Sequence, residues 1–227
     1  MKQLFIFLVM GAVFSLFSGC NMDEEGYSLN DSWVGFGLVH KDSTNESFTI
    51  EQDNGAILFP VTNKVMWIDV KDNERVLTNF SILGDKTNPD NIEQYYVKIN
   101  SLRKILYKGI RDITPATEDS IGNDPIKVKG KWIKNNMLNL ELKYLGGSKI
   151  HYINLVKQSG ILNIDNGPVV LELRHNANGD SEQFPLSAFV TFDLSSLKVQ
   201  GKNSTPFKVI AKGFDGDDFE YTGEYKY

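Results

Sequence analysis

From Ser32 onward the chain takes on a period of two in its apolar and polar residues, with clusters of Asn, Asp, Gly and Pro between the segments. Successive side chains of a strand point to opposite faces, so this period gives each segment one face to bury. No stretch carries the 3.6-residue period of a long amphipathic helix, and the predicted class is all-β. Five segments fall in the first half: Trp33 to Val39, Phe48 to Ile50, Ala56 to Phe59, Val76 to Leu83, and one long bent strand from Tyr95 to Ile110. Asp53-Asn54-Gly55 joins the second to the third, and Asn-Gly between apolar runs signals a hairpin because both residues tolerate positive φ. Gly35 and Gly37 predict a bulge or bend in the first strand. Met66, Trp67, Ile68 and Val70 form a connecting apolar patch, and Asn88-Pro89-Asp90 marks a turn. Five bent strands in roughly 80 residues suit a small closed barrel, which removes exposed edges. The polar stretch Thr114 to Asp124 predicts a boundary, giving a barrel domain over 32–114, a linker over 115–124 and a second domain over 125–227. That domain carries seven short segments, at 126–133, 138–145, 150–156, 169–173, 189–194, 207–212 and 219–225. Such spacing predicts an antiparallel, immunoglobulin-like sandwich.

The N-terminus sets the address. Lys2 precedes an apolar run from Leu4 to Phe17, then Ser18, Gly19 and Cys20, the only cysteine of 227 residues. The run is too short to span a bilayer comfortably and has the shape of a secretory signal. Small residues followed at once by cysteine resemble the lipobox of a bacterial lipoprotein, although Phe17 stands where leucine is commoner. That resemblance implies removal of residues 1–19 and lipidation of Cys20 by thioether-linked diacylglycerol, usually with an acylated amine. The lone thiol then needs no disulfide partner in an oxidising compartment. More than one acyl chain makes the attachment stable. Residues 20–31 read as the lipidated cysteine and a polar tether. Asp23-Glu24-Glu25 resembles the surface-export signal of Bacteroidota lipoproteins. The expected location is the outer membrane, facing the cell surface, with its periplasmic face as the alternative.

The mature chain of 208 residues would carry 23 basic and 29 acidic side chains, and a single cysteine allows no internal disulfide. A well-mixed acidic chain argues against a phosphate backbone as partner. Lys98, Arg103, Lys104, Lys108 and Arg111 do lie along one predicted strand, with Trp33, Tyr95 and Tyr96 as possible stacking groups. Lysines on strand exteriors also guard edges, and no nucleic-acid partner is expected.

Several stretches together resemble the NigD-like lipoprotein family. They are the lipobox at Cys20, Trp33 to Val39, the Asp53-Asn54-Gly55 hairpin, Asp124-Pro125-Ile126, His151 to Leu155, Leu171 to Asp180 and Val190 to Leu194. The resemblance implies an N-terminal OB-like domain followed by a C-terminal β-sandwich. The family's name derives from the gene neighbourhood of a bacteriocin, which implies immunity as one role, and no settled biochemical activity comes with it.

Candidate site residues are few. Antiparallel pairing of 150–156 with 169–175 brings His151 opposite or nearly opposite His175, with Asp180 or Glu172 near enough to complete a metal site. The same pair could act as a pH-sensitive couple, since both rings resist charging together. Local packing, with Arg174 and Asp180 ordering the turn, is the competing reading, because His175 alternates with the inward-facing Leu171 and Leu173. Asn176 to Asp180 and Asp215 to Asp218 are rich in oxygen ligands but lack the spacing of a calcium loop, and they read as turns. His40 reads as a loop residue. No Gly-x-Ser-x-Gly and no His-Glu-x-x-His occurs, and no cofactor is expected. Asp42-Ser43-Thr44 and Asp119-Ser120-Ile121 resemble short O-glycan acceptor signals of exported Bacteroidota proteins. The expectation is a non-enzymatic binding module at the envelope, for a protein partner or a surface glycan. Bacteriocin immunity is the alternative, and a metal-dependent or glycan-acting enzyme is the reading from a different class.

Overall fold

A computed structural model of the protein describes residues 26–42, 47–61, 69–87, 92–160, 162, 164 and 167–227. The signal segment, Cys20, the acidic cluster at 23–25, Ser43-Thr44, the patch of Met66, Trp67 and Ile68, and the Asn88-Pro89-Asp90 turn lie outside these residues.

The first domain is a closed five-stranded OB-like barrel, with strand order β1-β2-β3-β5-β4. Its strands are β1 (Trp33–Lys41), β2 (Phe48–Gln52), β3 (Ile57–Pro60), β4 (Arg75–Asp85) and β5 (Gln94–Lys104). Every second residue points inward, and Val39, Ile50, Leu58, Val76 and Val97 are fully buried. The glycines of β1 leave room inside the barrel for a neighbour. A Cβ on Gly35 would collide with Oε1 of Gln52, and one on Gly37 with the Ile50 side chain. Gly55, at φ +97°, closes the β2–β3 hairpin by donating its N–H to the Gln52 carbonyl at 2.9 Å.

The strand expected from Tyr95 to Ile110 is two strands in two domains, with a third directly after it. β5 ends at Lys104, after the buried Ile105 the chain runs on as β6 (Leu106–Gly109), and β7 (Arg111–Ile113) follows. β6 pairs with β12 (Phe184–Asp193) and β7 with β10 (Tyr152–Gln158), so the second domain begins at Leu106 rather than beyond 115–124. No Gly, Pro, Asn or Asp falls between Ser101 and Lys108, which is why the sequence reads as continuous there. The expected linker instead holds a single helical turn, α1 (Glu118–Ile121), whose Ile121 packs with Ile113 and Val156.

The second domain is a sandwich of two sheets, β14-β13-β11-β10-β7 and β6-β12-β9-β8. The remaining strands are β8 (Lys127–Lys134), β9 (Met137–Gly146), β11 (Val169–Asn176), β13 (Ser204–Ala211) and β14 (Phe219–Lys226). These are the seven expected strands plus β6 and β7. Three pairs, β7–β10, β11–β13 and β6–β12, run parallel in an otherwise antiparallel domain. Leu138, Leu140, Leu142, Leu155, Leu171 and Phe192 fill the space between the sheets.

The two domains meet on a buried arginine. Arg75, at the start of β4, is 1% exposed. Its Nη1 and Nη2 donate to the two carboxylate oxygens of Asp53 at 2.7 and 2.5 Å. Nη2 also donates to Asn139 Oδ1 on β9 at 2.9 Å, and Thr191 Oγ1 on β12 donates to that same oxygen at 2.7 Å. From the sandwich, Trp132 Nε1 donates to Asp53 Oδ2 at 2.9 Å. Phe36 lies beneath, with its ring 5.0 Å from Trp132, 4.9 Å from Phe189 and 5.6 Å from the guanidinium. A bidentate Arg–carboxylate pair offsets much of its desolvation only when the remaining polar atoms are also bonded, and here they are. Arg75→Ala would remove the charged partner of Asp53, leaving its carboxylate with Trp132 alone, and would leave Asn139 Oδ1 with Thr191 alone. It should lower unfolding free energy by about 3–5 kcal/mol in denaturant titration. It should also let barrel and sandwich melt apart in calorimetry. A single unshifted transition would contradict this role.

Candidate functional site

The histidines come together as the pairing predicts, two residues away from directly opposite. β10 and β11 pair Ile153 with His175 and Tyr152 with Asn176, which puts His151 diagonal to His175 on the inward face. His151 Nδ1 lies 2.8 Å from His175 Nε2, and His151 Nε2 lies 3.1 Å from Asp180 Oδ2. His175 Nδ1 lies 3.1 Å from the Pro125 carbonyl. The acceptors fix the protons. A carbonyl only accepts, so His175 Nδ1 carries hydrogen; the Asp180 carboxylate only accepts, so His151 Nε2 does too. The 2.8 Å contact between the rings joins these two ends into one chain, from the Pro125 carbonyl through both imidazoles to Asp180.

The surroundings are built for that chain. Side chains of His151 and Asp180 are 3% and 4% exposed. Tyr144 covers both rings, with centroids 4.8 and 5.0 Å away. A Cβ on Gly146 would lie 2.9 Å from His151 Nε2, so a glycine is needed where β9 passes the ring. Asp180 also accepts from the N–H groups of Gly147 and Ser148 at 2.5 and 3.2 Å. Donation from the Gly147 amide leads the effects that hold its carboxyl well below the usual range. Burial pushes the His175 imidazole below its ordinary value, and the neighbouring His151 acts in the same direction while the Pro125 carbonyl opposes it.

This geometry joins chain segments rather than presenting ligands. Two nitrogens bound to one zinc at about 2.0–2.1 Å each in a tetrahedral site stand about 3.3 Å apart, whereas these point at one another at 2.8 Å. Among the described residues no group of three or more His, Cys, Asp or Glu side chains is placed to hold a metal ion. Glu172 turns away from the cluster to Arg174, at 2.6 Å. The Asn176 to Asp180 loop is a turn, with Asn178 at φ +56° and Asn176 Oδ1 accepting from the Asn178 N–H. His40 sits at the exposed end of β1 beside Glu51, at 3.2 Å.

The basic residues are scattered. Lys104 bonds Glu74, Arg103 faces the Phe189 ring, and Lys108 donates to the Ile153 carbonyl and Asn154 on the sandwich. The strand on which they were aligned divides between two domains, and the stripe divides with it.

A different concavity opens at the barrel end. A cleft of about 380 Å³ lies between the start of β1, the β2–β3 hairpin, β4 and the start of β5. Trp33, Phe80 and Tyr95 wall it, and Gln52, Asp53, Asn54 and Glu93 supply its polar atoms. Trp33 stacks on Phe80 at 6.3 Å, and the Tyr27 ring abuts Trp33 and Tyr95 edge-on at 6.3 and 6.1 Å. Tyr27 donates its hydroxyl to Asp85 at 2.6 Å, a bond that pushes its pKa up to about 12. Gln52 is 5% exposed, yet its Nε2 has no hydrogen-bond partner. Gln52 lies outside the segments that the sequence pattern picks out. The signal was present in the two glycines facing it, which a barrel interior does not otherwise need.

An OB-like barrel docked through Arg75, Asp53 and Phe36 on β8, β9 and β12 of a nine-stranded sandwich, whose entering chain contributes one strand to each sheet, defines a two-domain all-β class. Residues 36–105 match the family model described as the NigD-like N-terminal OB domain, and residues 109–225 the NigD-like C-terminal beta sandwich domain. The chain belongs to the NigD-like family. Among solved structures it resembles a toxin-related protein from Parabacteroides distasonis, at 28% identity and TM-score 0.70, over 86% of this chain and 94% of that one. A NigD-like immunity protein from Bacteroides caccae is similar at 22% identity and TM-score 0.65, over 88% and 99% of the two chains. A lipoprotein from Bacteroides fragilis shares the fold at 12% identity and TM-score 0.61, over 87% and 98%. No curated protein matches the chain.

The histidine chain predicts a pH dependence with a definite sign. His175 has a folded-state pKa below its ordinary 6.5, so the unfolded chain takes up the proton first. Its contribution to stability is present above that ordinary value and is lost as pH falls through the folded one. The melting midpoint should therefore fall from about pH 7.5 to about pH 5, and His175→Gln, which can still bond both neighbours, should flatten that fall. Equal slopes in both proteins would contradict the assignment.

Proposed function

We propose that this chain is a non-enzymatic binding protein, lipid-tethered through Cys20 to the outer membrane and facing outward, with the barrel-end cleft as its binding site. The observation that carries the reading is the cleft itself. It combines an aromatic wall with a buried amide whose donor is unused, and the chain segment leading from the tether runs across its rim. Tyr27 and Asp31 are fastened there, the first to Asp85 and the second, through its carbonyl, to Ser81 Oγ at 2.7 Å. Ligand sites favour such barrel mouths, where few polar groups converge in an apolar wall. The histidine chain, by contrast, has its hydrogen-bonding capacity consumed internally. The Bacteroides fragilis relative, described as a lipoprotein, supports the tether, as does the sequence around Cys20.

Family membership supports a second reading, self-protection against a bacteriocin, because the Bacteroides caccae relative is described as an immunity protein. The same cleft would then hold part of the toxin. A deletion strain killed no more readily than its parent by neighbouring strains' toxins would remove it.

The principal reading has two separable tests. Labelled palmitate should enter the protein, and Cys20→Ser should release it from membranes; absence of both effects removes the tether. A photoreactive residue in place of Asn54, on the cleft rim, should form a discrete adduct on intact cells. The same residue in place of the exposed Gln200, on the sandwich, should not. No adduct from Asn54, or equal adducts from both, would count against the cleft as a site.

A further inference from the structure

We propose that the barrel-end cleft binds a neutral, hydroxyl-bearing sugar ring, stacked on Trp33 and hydrogen-bonded by the unpartnered amide of Gln52. The inference rests on the reading of this cleft as a binding site and adds the class of ligand. Three features of the lining select it.

The first is the amide. A buried amide hydrogen left without an acceptor costs about 1–3 kcal/mol. Gln52 nevertheless points inward on β2 from the position paired with Gly37, and the two glycines of β1 are what let its side chain lie there. Thr78, which pairs with Gly35 across β1 and β4, likewise has a buried hydroxyl without a partner. Two unsatisfied polar side chains therefore flank the same glycine pair at the cleft end of the barrel. Gln52 Nε2 calls for an oxygen acceptor.

The second is charge. Glu93 lines the cleft, Asp53 lines it with its charge already paired to Arg75, and no Lys or Arg is among the lining residues. Anions find no cation there, so carboxylate and phosphate ligands do not supply that oxygen. A cation would suit the carboxylates and the aromatic rings but would face the amide donor with no acceptor of its own. Hydroxyl groups satisfy both sides, accepting from Gln52 while donating to carboxylate and Asn54 oxygens.

The third is shape. Trp33 is 36% exposed while stacked on Phe80 and braced by Tyr27, so it offers surface held at a fixed tilt. The C–H face of a pyranose is flat and apolar and matches such a ring, with its hydroxyls pointing outward to the polar rim. A volume of about 380 Å³ lies at the lower end of the range for small-molecule sites and suits one or two sugar rings.

The test uses the full-length protein in a detergent without a sugar headgroup. Probes are malto-, cello-, laminari-, manno- and N-acetylchito-oligosaccharides, with trigalacturonate as the anionic and spermidine as the cationic control. Tryptophan fluorescence and saturation-transfer NMR should show saturable binding of at least one neutral oligosaccharide. Trp33→Ala should weaken it about tenfold or more, and Trp33→Tyr should restore most of it. Gln52→Leu, checked for folding by its melting curve, should weaken it with Trp33 intact. The proposal is overturned if no neutral sugar binds, if binding ignores Trp33→Ala, or if spermidine or trigalacturonate binds in its place. An Asn54 adduct on cells together with silence toward every sugar would keep the binding reading and remove this ligand class.

Discussion

The bidentate contact between Arg75 and Asp53 holds the molecule together at its least repetitive point. Arg75 opens β4 on the barrel, Asp53 opens the β2–β3 hairpin, and the remaining donors and acceptors come from β8, β9 and β12 of the sandwich. An ion pair removed from water is favourable only when every lone pair and proton is used. Trp132, Asn139 and Thr191 complete that set, so the pair is satisfied only when the domains are docked. Docking thereby becomes a condition of burying the charge, and the joint is specific rather than merely apolar. Phe36 adds the apolar part, since its ring lies against Trp132, Phe189 and the guanidinium together.

That constraint reaches the cleft directly. Asp53 and Asn54 line it, and Asp53 has both oxygens committed to Arg75 while one also accepts from Trp132. The hairpin carrying Gln52 is therefore fixed from the sandwich side, and the rim cannot relax without disturbing the joint. A site on a short turn would ordinarily be loose; here a second domain clamps it. Rigid positioning of this kind lowers the ordering cost of binding.

Much of the architecture was written in the alternation. Each of the seven sandwich segments and the first four barrel segments became a strand, and the fifth divided into β5 and β6, because a period of two with Asn, Asp or Gly at the reversals leaves little alternative. The domain boundary was not legible, for a definite reason. Polar composition marked 114–124, yet the domains part at Ile105, a buried apolar residue with no turn residue beside it, where nothing local announces a change of sheet. The histidine juxtaposition was legible from loop-centred pairing, and its chemistry was not. The Pro125 carbonyl and the amides of Gly147 and Ser148 decide which nitrogens carry protons, and no pattern in the sequence places those groups beside His151 and His175. Arg75 was passed over because an arginine at a strand start is ordinarily solvated, and only the docked sandwich buries it.

The two polar clusters show how the same residue types take opposite parts. In the histidine chain every strong donor meets an acceptor, from the Pro125 carbonyl through both rings to Asp180 and the backbone amides beyond it. Such a chain ties the domain's entry segment, the β9–β10 connection and the β11 turn to one another, and a satisfied network has nothing left to offer a ligand. At the barrel end the accounting stays open. Gln52 occupies space that Gly35 and Gly37 vacate, and two methyl groups at those positions would have closed the barrel with an ordinary apolar residue opposite. Keeping a donor there without a partner lowers the stability of the free protein, a cost that the proposed ligand would offset by supplying the oxygen. Polar groups whose bonding is complete hold a fold in place, and those left incomplete beside an aromatic wall are where a partner can be received.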